Sequence, residues 1–390
     1  MKLLAVHTQY QQPGGEDSSF AAEVALLEER GHLVFPLVFH NKDLEGLPPW
    51  RQAGLTLWNQ EAYQRVREAI REHRPDILHV HNTFPLASPA VIHAAKAEGV
   101  PVVMTLHNYR LLCVNALFFR QGRVCEDCLG RLPWRGVLHG CYRDSRPASA
   151  VVAGMLTLHR ALGTWNLVDR FIALTEFARG KFLEAGLPPE KVAVKPNFVH
   201  PDPGPGEGRG GYALFVGRLS PEKGVFTLLE AWRRLGGRIP LKVVGDGPLM
   251  AEVSRRARGI PGVEVLGRKG AAEVYALMGE ASFLVFPSEW YETFGRVAIE
   301  AFARGTPVLA ARIGAVAEVT DHGRTGLHFR PGDPEDLAAQ VEWLLSHPVE
   351  LSRMRREARA EYEARYTAEE NYKMLIKIYQ TIIENHREGK

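Results

Sequence analysis

Cysteine is scarce in this chain: four residues in 390, all between Cys113 and Cys141, so any cysteine chemistry is confined to one segment. A surplus of one charge is also lacking. The 48 Lys and Arg residues against 45 Asp and Glu leave a formal charge of +3. That balance does not suggest a dedicated nucleic-acid binder, while still allowing a local basic cleft for phosphates. No stretch reaches the uninterrupted apolar length that a membrane span needs. At the start, Met1-Lys2 runs directly into LLAVHTQY, with neither the length of a leader's apolar region nor a small-residue cleavage site. The expected location is therefore the cytoplasm, at the inner face of the membrane if the apolar stretch Ala148–Leu167 meets lipid. A GxGxxG fingerprint is missing after the first apolar run, which disfavours NAD or FAD. What is abundant is apolar residue content, 45% over 390 residues, sufficient for two cores.

The order of apolar runs is that of an α/β chain. Leu3–His7 reads as a strand, followed by the loop QQPGG ending at Gly15, a helix from Ser18 or Ser19 to Arg30, and a strand over His32–Phe39. A helix over Glu61–His73 precedes the strand Asp76–His81. A helix over Pro89–Glu98 then precedes the strand Pro101–Leu106, which ends at His107. His81 and His107 thus sit at the carboxyl ends of adjacent strands, where open sheets bind ligands. The stretch PDPGPGEGRGG at 201–211 is the clearest linker, and a second α/β pattern begins at Tyr212. The expected organisation is a first domain over 1–198 with a cysteine-bearing insertion at about 110–165, a second over 199–368, and a terminal helix over 369–390.

Cys113, Cys125, Cys128 and Cys141 place a CxxC pair between two flanking cysteines. A structural four-cysteine zinc knot is the expectation, because it would staple an otherwise underdetermined insertion. Two disulfides, an iron–sulfur cluster and a redox CxxC are the competing uses of the same four residues.

The stretch FPSEWYETFGRVAIEAFARG at 286–305 reads as strand end, polar loop and helix. Glu292 falls in the loop and Glu300 inside the helix, and a strand-loop-helix unit brings both to the carboxyl edge of a sheet. Gly295 lets backbone approach a ligand, and the first-turn N–H groups suit a phosphate. Upstream, GRLSPEKG at 217–224 offers Arg218 and Lys223, spaced for two cations to converge on one diphosphate. Cations, N–H donors and carboxylates for hydroxyl groups are together the inventory for a nucleotide-activated sugar, held without a metal.

With these motifs the chain resembles the glycogen-synthase-like retaining glycosyltransferases of family 4, which have the GT-B fold: two Rossmann-like doubly wound α/β domains. The features that carry the resemblance are GRLSPEKG, PSEWYETFG at 287–295, the seven-residue interval between Glu292 and Glu300, and GTPV at 305–308. It covers nearly the whole chain and implies two domains facing a cleft, with the terminal helix crossing back to the first. The implied activity is metal-independent transfer of a sugar from a nucleotide-diphosphate donor to a hydroxyl acceptor by a front-face route. By the same likeness, Gly217, Arg218 and Lys223 bind the donor diphosphate, Glu300 the ribose, and Glu292 the sugar hydroxyls. The backbone of Thr293, Phe294 and Gly295 contacts sugar or phosphate. Gly15 approaches the diphosphate from the first domain, His107 sits beside the reacting carbon, and Arg268 falls near the base. Glu318 matches an acid with a structural role. The partners implied are the sugar nucleotide and a glycan, lipid-linked or small-molecule acceptor, with no catalytic cofactor and structural zinc at the cysteines. A GT-B-fold sugar-nucleotide epimerase or phosphorylase, or a non-catalytic sugar-nucleotide binder, shares the same motifs.

Overall fold

A computed structural model of the chain describes residues 1–11 and 14–388. Residues 12 and 13 of the expected QQPGG loop, and 389–390 of the expected terminal helix, lie outside the described residues. The chain divides into two compact units. The first comprises Met1–Phe118, Glu126–Pro196 and Asn371–Lys390, the second Phe119–Cys125 and Asn197–Glu370.

The first unit is built on β1 (Lys2–Gln9), β2 (Leu33–His40), β3 (Ile77–Asn82) and β4 (Val102–Leu106). A two-stranded antiparallel hairpin follows in the chain, β5 (Phe119–Arg120) with β6 (Arg123–Val124), grouped with the second unit. The first unit's sheet is completed by β7 (Arg170–Ala173) and β8 (Val192–Val194), giving six parallel strands in the order β2-β1-β3-β4-β7-β8. β3 and β4 are buried along their whole length, so they read as near-continuous apolar runs rather than alternating ones. Strand order reverses between β1 and β3, which makes the carboxyl ends of those strands the switch point where such sheets take ligands.

The helix Gly15–Glu29 starts about a turn earlier than the Ser18/Ser19 cap expected from sequence. Asp17 explains this, since its Oδ2 accepts from the Gly14 amide at 2.7 Å and satisfies one of the helix's orphan donors. Pro49–Leu57, with proline at its first position, is a further helix. From Asn371 onward the last helix, Ala368–Glu388, belongs to this unit. It places Leu375, Tyr379 and Ile382 in one core with Leu3, Ala5, Phe20 and Ile172. At roughly 1.5–3 kcal/mol for each buried large side chain, that stripe holds the helix in place.

The second unit carries β9 (Ala213–Val216), β10 (Leu241–Val244), β11 (Val263–Gly267), β12 (Phe283–Phe286), β13 (Val308–Ala311) and β14 (Gly326–Phe329). They form one parallel sheet in the order β11-β10-β9-β12-β13-β14, with its switch point between β9 and β12. The core is continuous from Phe215 and Val243 through Leu228 and Trp232 of the helix Val225–Leu235 to Leu337 and Val341 of the helix Pro334–Ser346. Trp232 is fully buried, and its indole N–H donates to the Ile239 carbonyl at 2.9 Å, which satisfies its polar end. Each unit is thus a doubly wound α/β layer structure. Among the described residues, no helix is long and apolar enough to cross a membrane.

Candidate active site

In the second unit the chemistry gathers at the switch point of the sheet. The loop after β9 carries Gly217, Arg218 and Lys223; the loop after β12 carries Ser288, Trp290 and Glu292. Lys223 Nζ donates to Glu292 Oε1 at 2.5 Å, Ser288 Oγ donates to the same oxygen at 2.8 Å, and Trp290 Nε1 at 2.9 Å. One carboxylate oxygen therefore accepts three donors, and Glu292 is buried. The ammonium also lies 5.3 Å from the Trp290 ring centre and 5.9 Å from that of Phe286, so indole and phenyl faces screen it from water.

The two loops are clamped to each other by backbone. The Glu289 amide donates to the Glu222 carbonyl at 2.9 Å, and Thr227 Oγ1 donates to Glu289 Oε1 at 2.5 Å. At Gly224 (φ +65°) an added Cβ would fall 1.9 Å from the Pro287 carbonyl oxygen, so the close approach of the loops requires glycine. Gly295 (φ +90°) is the residue before the helix Arg296–Ala303, and a Cβ there would press on Phe286 at 3.1 Å. Within that helix Arg296 Nε donates to Glu300 Oε1 at 2.9 Å. Burial raises the Glu300 carboxyl above its ordinary range, against the opposing pull of Arg296.

In the first unit the carboxyl ends of β1, β3 and β4 enclose a chain of buried polar groups. His107, just past β4, has its Nε2 3.0 Å from His81 Nδ1. His81 Nε2 lies 3.3 Å and His79 Nδ1 3.1 Å from Glu23 Oε1, at ion-pair distances without the alignment of full hydrogen bonds. Glu23 Oε2 accepts from Lys195 Nζ at 2.9 Å, and Lys195 also donates to Asn371 Oδ1 at 3.1 Å. The same His79 Nδ1 lies 2.7 Å from the Tyr379 hydroxyl, and its Nε2 lies 2.8 Å from Thr105 Oγ1. Burial alone would raise Glu23; the adjacent Lys195 ammonium and His79 instead hold it well below the carboxylate range. Burial and neighbouring imidazoles depress His81 to about 3 and drive His107 well below its ordinary value. Both rings are thus neutral near pH 7. Closer to the surface, burial lifts Glu16 to about 7, although Asn108 Nδ2 donates to its Oε1 at 2.7 Å.

Comparison with known proteins supplies the family. Residues 21–203 match the model of Glycosyltransferase Family 4, and residues 205–361 that of Glycosyl transferases group 1. The D-inositol 3-phosphate glycosyltransferase of Rhodococcus erythropolis is 32% identical over 345 residues, covering 83% of this chain and 72% of that protein. The chain belongs to this glycosyltransferase family. Glycogen synthase of Mycobacterium tuberculosis is 36% identical over 299 residues, covering 74% of this chain and 64% of the synthase. An uncharacterized glycosyltransferase of Methanocaldococcus jannaschii is 30% identical over 216 residues, covering 55% of this chain. The match spans 60% and 64% of the length of these last two relatives. Among solved structures, Anabaena HepE in complex with UDP superposes with a TM-score of 0.70 at 19% identity, over 98% of this chain and all of HepE. The architecture is thus GT-B, with two Rossmann-like α/β units, as the family resemblance implied.

Set in this glycosyltransferase frame, the residues singled out in the sequence fall into two groups. Lys223 and Glu292 meet directly, with Arg218 exposed in the same loop as Lys223 and Gly217 at its start. Thr293 and Gly295 continue the Glu292 loop, and Phe294 is a buried packing side chain against Tyr366 at 6.0 Å between ring centres. Glu300 is one turn into the next helix and Glu318 lies in the short helix Gly314–Val319. Arg268 stands apart: it is exposed, after the edge strand β11, two strands from the switch point. In the first unit Gly15 opens the first helix and His107 ends the polar chain. Glu23, His79, Lys195 and Tyr379 were not singled out. Glu23 sits within the first helix and Lys195 just past the end of a strand; nothing local signals that they meet across 172 residues.

The expected zinc site finds no support in the structure. Cys113, Cys128 and Cys141 belong to the first unit and do not converge: among the described residues, the only three His, Cys, Asp or Glu ligand atoms within 4.8 Å of one another are those of Glu23, His79 and His81. A tetrahedral site with bonds of ~2.3 Å would hold its sulfurs roughly 4 Å apart. None of the four cysteines is in a disulfide either. The segment is organised by apolar packing instead. Tyr109, Val114 and Phe118 are fully buried, and Val114 joins Phe84, Val152, Met155 and Leu156 in one cluster. Burial pushes the Cys113 thiol up, and its Sγ bonds Asn115 Oδ1 at 3.0 Å. Glu23, His79 and His81 are arranged as an ion-pair network rather than a metal centre. Both imidazole nitrogens face one carboxylate oxygen at 3.1 and 3.3 Å, and Lys195 already supplies the cation.

Proposed function

We propose that the protein is a retaining glycosyltransferase that moves a sugar from a nucleoside-diphosphate sugar to a hydroxyl group, without a catalytic metal. The observation that carries the reading is the Lys223–Glu292 pair at the switch point of the second unit's sheet, clamped by Gly224 and followed by the Gly295 helix start. A cation and a carboxylate held against each other have opposite tasks when a donor arrives. The diphosphate competes for Lys223, with Arg218 as a second cation, and the sugar hydroxyls replace the ammonium as donors to Glu292. Negative charge grows on the leaving diphosphate in the transition state, and these two cations stabilise it there more than in the ground state. The N–H groups beginning the helix Arg296–Ala303 suit phosphate oxygens, and Glu300 suits ribose hydroxyls.

In the same reading the second unit holds the donor and the first unit the acceptor. Retention by a front-face route leaves proton acceptance to a phosphate oxygen of the departing diphosphate. No side chain then needs to act as nucleophile. His107, neutral and hydrogen-bonded to His81, serves as a fixed polar group and not as an acid. The names of relatives such as the GDP-mannose-dependent alpha-mannosyltransferase of Corynebacterium glutamicum support a nucleotide-sugar reaction, and HepE, of the same fold, was solved with UDP bound.

The test is turnover with an identified donor and acceptor, the product anomer being read by proton NMR. Lys223→Ala is expected to lower kcat roughly 10²- to 10³-fold, the loss typical of removing one preorganised charge-stabilising donor. Glu292→Gln keeps the shape and chiefly weakens sugar binding. An inverted anomer would overturn retention, and turnover with no acceptor alcohol would replace transfer by epimerisation or phosphorolysis.

A further inference from the structure

The first unit holds a cavity of about 590 Å³, bounded by the turn after β2, the helix Pro49–Leu57, the loop after β3 and the start of the helix Arg146–Ala161. Its walls are mostly apolar, with Ala53, Pro147, Val151 and Val152 among them. Polar side chains also line it, and two of them are incompletely used. Asn41 is only 7% exposed; its Nδ2 donates to the Phe84 carbonyl at 3.4 Å, while its Oδ1 is buried with no hydrogen-bond partner. The Arg110 guanidinium carbon lies over Phe84, 4.2 Å from the ring centre, and 5.3 Å from that of Tyr142. One terminal nitrogen of that guanidinium donates to the Val114 carbonyl, but its Nε is buried without a partner. Arg143, on the same lining, stands 5.3 Å from the Tyr142 ring centre. The lining has a single carboxylate, Glu45, and Gln11 Nε2 donates to it at 3.2 Å.

Two guanidiniums against one occupied carboxylate make this an anion-receiving cavity. A buried Nε–H and a buried amide oxygen without partners are costly unless a ligand meets them. An arginine held over aromatic rings presents its remaining donors in the planar fork that fits phosphate oxygens. The apolar walls fit hydrocarbon, and Asn41 Oδ1 can accept from a hydroxyl. We propose that this cavity is the acceptor site, and that the acceptor carries a phosphate group beside an apolar chain, the phosphate on Arg110 and Arg143 and a hydroxyl on Asn41. The proposal rests on the transferase reading given above and adds the chemical class of the acceptor.

The experiment is direct titration of the full chain, without donor, with four probes: octyl phosphate, octyl glucoside, octanoate and glycerol 3-phosphate. A nucleotide-sugar panel is titrated separately. Octyl phosphate is expected to bind at least tenfold more tightly than the other three probes. Arg143→Gln should weaken it roughly tenfold, the scale of a charge-assisted hydrogen bond, and Asn41→Ala should weaken a hydroxyl-bearing alkyl phosphate more than octyl phosphate itself. Arg110→Gln removes a half-buried side chain, so its result is read only if the far-ultraviolet circular dichroism is unchanged; Arg143→Gln, at an exposed position, decides the case otherwise. Equal binding of octyl glucoside or octanoate overturns the phosphate assignment, and equal binding of glycerol 3-phosphate overturns the apolar one. Unchanged affinity in Arg143→Gln overturns the site. If nucleotide sugars bind and no alkyl phosphate does, this inference alone fails; if no nucleotide sugar binds, the transferase reading has failed first.

Discussion

Replacing Lys195 by methionine tests the buried charge network most sharply. Lys195 is 2% exposed and Glu23 5% exposed, with Nζ 2.9 Å from Oε2. Methionine matches the length of the lysine stem but leaves Glu23 as an uncompensated buried charge. It also strips Asn371 Oδ1 of its donor. Breaking a buried pair of this kind costs about 3–5 kcal/mol. The deficit belongs to the first unit, so a whole-chain melt would blur it, since two units need not unfold together. Amide hydrogen exchange in the peptide covering β3 (Ile77–Asn82) reads that unit by itself. At 1.4 kcal/mol per tenfold, exchange by opening should accelerate roughly 10²- to 10³-fold in Lys195→Met. The double change Lys195→Met with Glu23→Leu removes both charges, so it should recover a good part of the loss, although His79 and His81 then lack their carboxylate. Exchange within threefold of the unaltered chain in Lys195→Met would refute the pairing, and a double variant as impaired as the single one would refute its charge basis.

Other consequences are measured as readily. Glu16 has a folded value of about 7 against an ordinary 4.5, so it contributes stability below pH 4.5 that is lost as pH rises through 7. That difference is about 3 kcal/mol when complete, and about 2 after discounting for partial exposure. Glu16→Gln should therefore be stabilising at pH 8 and neutral below pH 4.5 in urea titrations; a gain independent of pH would contradict the assignment. His81 and His107 are shifted the other way. The stability of the first unit should fall as pH drops from 6.5 toward 3, and the fall should be shallower by up to one proton in His107→Gln. Gly224→Ala forces a methyl to 1.9 Å from the Pro287 carbonyl, so the second unit should lose about 2 kcal/mol or more in a urea titration; no change would mean the loops are not clamped. Because the cysteines do not converge among the described residues, dialysis against a chelator should leave the melting temperature unchanged, and stoichiometric zinc in the purified chain would restore the zinc reading.

Much of the fold is legible before any coordinates. The apolar run before Pro287-Ser288 is β12, and the Pro- and Gly-rich stretch at 201–211 lies near the start of the second unit's long segment. Lys223 and Glu292 can be named as candidates, each in a loop after a strand. Their 2.5 Å contact cannot be read, because it depends on β9 and β12 being neighbours in the sheet while 69 residues apart in the chain. The first unit's polar chain is illegible for a similar reason. Glu23, His79, Lys195 and Tyr379 each look like ordinary helix or strand residues until topology brings them together. The helix Pro49–Leu57 begins at a proline pair, with Pro49 at its first position. In the cysteine segment four sulfur ligands in 29 positions satisfy a spacing rule, which does not by itself require that the backbone bring them together. Tyr109, Val114 and Phe118 do the organising instead.

The central claim is that the second unit holds a nucleoside-diphosphate sugar through Arg218, Lys223 and Glu292. The most direct measurement is equilibrium titration of UDP-, GDP- and ADP-sugars against the chain and against Lys223→Ala, without acceptor. The account predicts that one nucleotide series binds, raises the melting temperature, and loses affinity at least tenfold in Lys223→Ala, with weakening as salt is raised. Absence of binding across the three series, or binding indifferent to Lys223, would contradict it.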